Sequence, residues 1–441
     1  MAEQTIFALA SGRGRAGVAV VRVSGPDAGA AVTRLAGRLP APRRASLSTI
    51  TDGTGEILDE GLVLWFPAPA SFTGEEVAEL HVHGGRAVVD AVLEALGRCP
   101  GLRPAEPGEF SRRAFANGKI DLTAAEGLAD LVEAETAAQR RQALRQMQGG
   151  LARLYDGWRS RLVGALAHVE AIIDFADEDI PLGLEAGVHE ALLLLAAEIV
   201  AHLDDGRRGE RLRNGVEVAI VGPPNAGKSS LLNALAGRAA AIVSPHPGTT
   251  RDVIEVALDV GGYPVVLADT AGVREGRDEI ECEGVARALQ RAEAADLRLV
   301  VLDGARWPAI DPATVALADG DSLLVLNKAD LLPPAPAPDD GDAPLRVSAL
   351  TGEGMPRLVV ALEEAVATRF DTAAAPALTR LRHRAALEAC LDAIRHAEVA
   401  PSVELLAEDL RAAATGLGRI TGRIDVEQVL DVIFRDFCIG K

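Results

Sequence analysis

Five short segments, in fixed order, carry the most explicit chemistry of this chain: GPPNAGKS at Gly222–Ser229, GTT at Gly248–Thr250, DTAG at Asp269–Gly272, NKAD at Asn327–Asp330 and SAL at Ser348–Leu350. A glycine-rich loop that ends in Lys-Ser can cradle phosphates with its backbone N–H groups. Lys228 then reaches the β/γ oxygens and the Ser229 hydroxyl ligates Mg²⁺. Thr250 is placed to close that metal from a first switch. Asp269 can hold it from the opposite side, directly or through water. The Asp330 carboxylate can accept from both N1–H and the 2-amino group of guanine, and adenine lacks the second donor. Nucleotide contacts are therefore expected from Asn225, Ala226, Gly227, Lys228, Ser229 and Ser230 of the first loop and from Ser244, Thr249 and Thr250 of the first switch. Further contacts are expected from Asp269, Thr270, Ala271 and Gly272, from Asn327, Lys328 and Asp330, and from Ser348, Ala349 and Leu350. The ordered set implies a guanine-nucleotide switch domain rather than an ATP-binding P-loop protein.

The elements needed to position these loops are legible around them. Val216–Gly222 is apolar and β-branched, as a buried parallel strand should be, and SLLNALAG after Lys228 reads as a helix. PVVLADT delivers Asp269, and Ser322–Leu326 delivers NKAD. Upstream, VAVVRVSG, GLVLWFP and the helical stretch Arg86–Arg98 predict an α+β domain over residues 1–118. From Leu122 to Glu210 the pattern becomes helical, and helical character returns from about Leu378. The expected architecture is an α+β N-terminal domain (1–118), an α-helical domain in two parts (119–210 and 370–441), and an α/β P-loop, Ras-like domain (211–369) inserted between them. Pro333–Pro344 reads as a low-complexity surface loop.

Length and composition agree with about three globular domains, with 48% hydrophobic residues in 441. The apolar run Ala191–Val200 is short and carries Glu198, so no membrane span is expected, and the first ten residues carry no signal-peptide pattern. Four scattered cysteines, Cys99, Cys282, Cys390 and Cys438, argue against a zinc site or a disulfide scaffold and suit a reducing cytoplasm. The net charge of −19 disfavours nonspecific nucleic-acid binding. It divides as −1 over residues 1–118, −8 over each of 119–210 and 211–369, and −2 over 370–441. A polyanion should prefer the first or last segment.

Other patterns have plainer readings. Gly12, Gly14 and Gly17 form G-x-G-x-x-G, but a strand-like run follows, so a turn is expected in place of a dinucleotide site. His81 and His83 share a strand face without a third metal ligand in view, which favours packing or a turn role. The acidic run Asp174–Asp179 reads as a solvated loop.

Together with Asn225 in the phosphate loop, PGTTRD at Pro247–Asp252 and CIGK at Cys438–Lys441, these motifs resemble the MnmE (TrmE) family of tRNA-modification GTPases. VRVSG, SFTGEE, HGG, PGEFSRRAFANGKIDL and FCIGK extend the likeness over essentially the whole chain. The resemblance implies a folate-binding N-terminal domain, a helical domain and an inserted G domain. It implies K⁺ held by Asn225, Ser244, His246 and Thr249 in place of an arginine finger. Val273 follows DTAG where many GTPases carry a water-positioning Gln, and the resemblance transfers that task to Glu281. Folate contacts transfer to Arg22, Glu79, Lys119 and Lys441, with 5-formyl- or 5,10-methylene-tetrahydrofolate as the ligand. Cys438 is a candidate catalytic thiol in the terminal tail; an inert buried thiol is the alternative reading. A homodimer is implied that acts with an MnmG-type FAD protein, in a heterotetramer, on the wobble uridine of certain tRNAs in the cytoplasm. Two other readings stay open at this point: a ribosome-assembly GTPase switch, and a folate-dependent methyl transferase with a regulatory G domain.

Overall fold

In the computed structural model the described residues are 4–174, 184–238, 240–241, 255–269, 293–310, 312–333, 343–370, 376–424, 430, 433–434, 437 and 440. The chain divides into two compact units. One comprises Met1–Ala129, Met147–Ser160 and Ala414–Lys441; the other comprises Asp130–Gln146 and Arg161–Ala413.

The first unit is built on a six-stranded sheet. Its strands are β1 (Thr5–Leu9), β2 (Ala16–Ser24), β3 (Ser46–Thr51), β4 (Ile57–Phe66), β5 (Val77–Gly84) and β6 (Leu102–Pro104), in the order β3-β4-β5-β2-β1-β6. All neighbours are antiparallel except β1 and β6. Strand β2 shows why the sheet has two distinct faces. Ala19, Val21 and Val23 are buried, while Val20 and Arg22 between them are half-buried, which is the period-two alternation of a strand with one face in the core. Helices α1 (Ala28–Ala36) and α2 (Arg86–Gly97) add Val32, Leu35, Val92 and Leu96 to the same core as Val21 and Val23. A second cluster joins Ile6 and Ala8 of β1 to Ala105 and to Phe110 of α3 (Glu109–Ala116), with Phe72 packed against it. Helix α4 (Leu122–Glu133) begins beside Phe434 and Phe437 from the chain's end, which share a cluster with its Ala125. Gly12 and Gly14 lie at the connection between antiparallel β1 and β2, as the turn reading expects, and Gly17 is already the second residue of β2.

The second unit holds the P-loop α/β fold and most of the helices. Following α5 (Ala137–Met147), α6 (Gly150–Asp174, which begins in the first unit), α7 (Leu184–Leu203) and α8 (Arg208–Asn214), the sheet runs through β7 (Val216–Val221), β8 (Ala240–Ala241), β9 (Glu255–Val260), β10 (Tyr263–Asp269), β11 (Leu297–Asp303), β12 (Ser322–Asn327) and β13 (Leu345–Arg346). The order is β13-β12-β11-β7-β10-β9-β8. Strands β7, β10, β11, β12 and β13 pair in parallel, while β8–β9 and β9–β10 are antiparallel. Helices α9 (Lys228–Ala236), α10 (Pro312–Val315) and α11 (Met355–Phe370) complete this region. Val218, Ile220, Leu231, Leu267, Leu299, Val325 and Leu358 form its common core. Parallel strands buried on both faces explain the continuous apolar runs in the sequence. Later in the chain come α12 (Leu381–Glu398) and α13 (Val403–Thr421), the latter ending in the first unit. Helix α12 packs on α7, and its Arg384 fixes Asp205 at 2.8 Å and Glu210 at 3.0 Å. No helix among the described residues is long and apolar enough to cross a membrane.

Candidate functional site

The phosphate loop leaves β7 at Val221 and enters α9 at Lys228, so it sits at the carboxyl end of a central parallel strand. That is the usual place for a ligand in an open α/β sheet. Asn225 takes a left-handed backbone (φ 65°) and Gly227 follows at φ 89°. A Cβ on Gly227 would come within 2.4 Å of the Asn327 amide nitrogen, so only glycine lets the loop approach β12 this closely. The buried Lys228 bends its ammonium back over the loop, donating to the Gly222 carbonyl at 2.9 Å and the Pro223 carbonyl at 3.0 Å. Ser229 and Ser230 are exposed on the first turn of α9, where the helix N-terminus favours an anion.

Three loops meet at the guanine-reading side. Asn327 ends β12 with its side chain 2% exposed; its amide nitrogen donates to the Ala226 carbonyl at 2.9 Å, and its side-chain oxygen accepts from the Ala349 N–H at 3.1 Å. One residue thus ties the phosphate loop to the SAL segment. Lys328 reaches the Asn225 carbonyl at 2.6 Å and Asp303 at 2.9 Å. The fully buried Ser348 donates its hydroxyl to one oxygen of the exposed Asp330 and accepts from the Thr351 N–H at 3.1 Å. This holds the carboxylate at the rim while Leu350 stands 86% exposed beside it. Asn225 is also exposed.

Asp269 closes β10 opposite Ile220 of β7, which brings the second-switch entry beside the phosphate-loop strand; its side chain lies outside the described residues. So do Ser244, His246, Thr249, Thr250, Thr270, Ala271, Gly272, Glu281, Cys438 and Lys441.

The first unit carries the other expected cluster. Arg22 of β2 and Glu79 of β5 are cross-strand partners, and the guanidinium donates twice to one Glu79 oxygen, at 2.9 and 3.1 Å. His81 meets the other oxygen at 3.2 Å. Burial pushes the Glu79 carboxyl up, but the Arg22 charge and the hydrogen bonds from His81 and Arg22 outweigh it and hold the group below its ordinary value. The guanidinium carbon lies 5.5 Å from the Phe72 ring centre and 5.8 Å from that of Phe110, so the arginine of the pair lies against two aromatic rings. Lys119 lies along Gly74 and donates to the Pro69 carbonyl at 2.9 Å, on the same 69–75 loop that supplies Phe72. The chain end arrives here as well: a Cβ on Gly440 would be 2.2 Å from the Leu9 carbonyl oxygen, and Leu9 adjoins Ala8, the β1 partner of Arg22. His83 pairs separately with Asp59 at 2.8 Å, so the two histidines have different carboxylate partners.

Sequence reasoning missed Phe72, Phe110 and the ion-pair chain beneath them. In that chain Arg113 meets Glu75 at 3.1 Å and Glu109 at 3.0 Å, and Ser24 donates to Glu75 at 2.7 Å. Both phenylalanines stand inside segments already marked, SFTGEE and PGEFSRRAFANGKIDL. Only the fold reveals that they face one arginine.

Comparison with known proteins adds identity to geometry. Residues 122–438 match the model described as "MnmE helical domain", and residues 5–119 match "GTP-binding protein TrmE N-terminus". A "tRNA modification GTPase MnmE" of Paramagnetospirillum magneticum is 60% identical, covering 99% of this chain and 100% of its own length. The human mitochondrial "5-taurinomethyluridine-[tRNA] synthase subunit GTPB3" is 52% identical over 99% of this chain and 93% of its own. Among solved structures, the G domain of the Thermotoga maritima FeoB iron transporter aligns with 35% of this chain and 99% of its own at 26% identity, with a TM-score of 0.25. The two matching models and the full-length relatives leave one assignment: the chain belongs to the MnmE/TrmE family of tRNA modification GTPases.

Proposed function

We propose that this chain is a K⁺-stimulated GTP hydrolase coupled to tRNA modification. With an FAD-protein partner of the MnmG type, it installs an aminomethyl or carboxymethylaminomethyl group on C5 of wobble uridine. The observation that carries the nucleotide half is the junction of Asn327, Lys328, Asp330 and Ser348 with the phosphate loop. It leaves one exposed carboxylate, suited to the two N–H donors of guanine, and sets Lys228 and Ser229 at a helix N-terminus. Lys228 exchanges its two carbonyl contacts for phosphate oxygens, and Ser229 with Thr250 and Asp269 are the oxygen donors suited to Mg²⁺. Asn225, exposed on a left-handed turn of the loop, offers a side-chain oxygen to a monovalent cation, completed by Ser244, His246 and Thr249. That ion supplies positive charge at the phosphates where other GTPases use arginine. Glu281 positions the attacking water.

In the first unit, Arg22, Glu79 and Lys119, with Phe72 and Phe110 as walls, suit reduced folate. The carboxylate can accept from a pterin N–H edge, the rings offer stacking area and the cations meet the glutamate tail. Folate supplies the one-carbon unit. Cys438 and Lys441, which flank the Gly440 that approaches β1 in sequence, are the thiol and the ammonium we assign to this reaction. A cytoplasmic homodimer completes the reading.

The test is GTP turnover by the full chain in KCl and NaCl at matched ionic strength, with Glu281→Ala alongside. Turnover at least tenfold faster in K⁺, and nearly abolished in the variant with GTP affinity retained, is the expected result. Equal rates in both salts remove the cation from the mechanism, and full activity of the variant reassigns the water.

A further inference from the structure

Helix α5 lies about 80 residues before the phosphate loop in sequence, yet it is built into the nucleotide-binding fold. Ala138, 3% exposed, shares the core of that fold with Val260 and Tyr263, which close the β9–β10 turn. Its N–H donates to the Gly262 carbonyl at 2.9 Å, and a Cβ on Gly262 would already touch that of Ala137 at 3.4 Å. The turn is stiffened from within, since the Gly262 N–H donates to Asp259 at 2.7 Å.

Gln139 holds this contact in place from both ends of its amide. Its side-chain oxygen accepts from the Glu135 and Thr136 N–H groups, each at 3.1 Å, and fixes the start of α5. Its amide nitrogen donates to the Arg213 carbonyl at 3.0 Å, on α8, which leads directly into β7 and the phosphate loop. Asp130 grips Arg213 at 2.8 Å and Arg380 at 2.6 Å. A cavity of about 150 Å³ lies at this joint, lined by Asp130, Glu133, Gln139, Gln142, Arg213 and Asn214. Gln142 spends its amide nitrogen on the Gly209 carbonyl at 3.0 Å and keeps its buried side-chain oxygen without a hydrogen-bond partner. Space and an unsatisfied buried acceptor thus lie together at this joint.

The β9–β10 hairpin is the segment that separates the two switches. Strand β9 begins five residues after Thr250, and β10 ends at Asp269, so six consecutive cross-strand pairs from Tyr263–Val260 to Ala268–Glu255 connect the switch ends to the turn. This unbroken pairing ties the turn held by α5 to the strand ends that border the two switches. We propose that this contact is where nucleotide state is passed to the modification step, with Gln139 as its positioning residue. The proposal rests on the reading that GTP turnover serves wobble-uridine modification.

Gln139→Glu separates the two jobs of the side chain, because the carboxylate still accepts from Glu135 and Thr136 but cannot donate to Arg213. The full-length variant should hydrolyse GTP with kcat and KM within about twofold of wild type. A deletion strain complemented with it should show at least a fivefold loss of modified wobble uridine. Hydrogen exchange on the wild-type chain gives a second readout: the Ala138 amide should differ at least tenfold between the GDP state and the GDP–aluminium fluoride–K⁺ state. Loss of both activities in equal proportion, loss of neither, or identical Ala138 exchange in the two states overturns the proposal. If the wild-type gene restores no modified uridine, the tRNA reading fails instead, and the exchange result alone decides whether the joint responds to nucleotide.

Discussion

On the proposed reading Asp330 concentrates base recognition on one carboxylate, and its chemistry makes a sign-definite prediction. An amide at this position can accept only one of guanine's two donors and turns its own N–H toward the other. Asp330→Asn should therefore weaken GTP binding roughly 10- to 100-fold, the cost of about 1.5–3 kcal/mol for a lost hydrogen bond to a charged group. Binding of xanthosine triphosphate, which carries a carbonyl in place of the 2-amino group, should rise; calorimetry with both nucleotides checks it. Glu79 makes a pH prediction. Its folded pKa lies below the ordinary 4.5, so the stability it contributes is present above 4.5 and is lost as pH falls through the folded value. Melting of the full chain followed below pH 4.5 should fall more steeply for wild type than for Glu79→Gln; parallel curves would mean that the Arg22 pair adds nothing. Cys390 is 1% exposed, and burial pushes its thiol up to about 12, so it should resist alkylation at pH 8 until the chain unfolds. Peptide mapping after iodoacetamide measures this, and labelling in the folded protein would contradict the packing of α12 on α7.

At the scale of elements, the phosphate loop and β12 depend on a single close approach. Gly227→Ala puts a methyl group where the Asn327 amide stands and forces alanine to φ 89°. A cost of about 1–2 kcal/mol is expected for an L-residue in left-handed backbone alone. Nucleotide affinity should fall at least tenfold, and Tm should drop by roughly 2–4 °C for each kcal/mol; an unchanged affinity would mean that the loop and Asn327 are not coupled. The same elements show what was legible before the fold. Strand β7, helix α9 and the NKAD strand were readable because their apolar runs are local and their loops carry residue types that one chemistry requires. Arg22 and Glu79 were marked only through family likeness, for an arginine and a glutamate 57 positions apart say nothing until β2 and β5 pair. Helix α5 was invisible as a partner of the nucleotide fold. Its sequence is Ala-, Gln- and Arg-rich, and its key contact is a backbone hydrogen bond that has no side-chain signature.

Over the whole molecule, one unit sets a P-loop on a mostly parallel sheet, and the other sets an arginine–glutamate pair, its arginine against aromatic rings, on a mostly antiparallel sheet. The account joins them in a single reaction in which GTP turnover serves the modification of tRNA. The most direct measurement is mass spectrometry of wobble nucleosides from a strain lacking this gene, complemented with either wild type or Lys228→Ala. The wild-type gene should restore 5-carboxymethylaminomethyl- or aminomethyl-type uridine, and the Lys228 variant, stripped of its phosphate contact, should restore less than about a tenth of it. Unaltered wobble uridine in the deletion strain, or full restoration by the Lys228 variant, would contradict a GTP-driven tRNA modification enzyme.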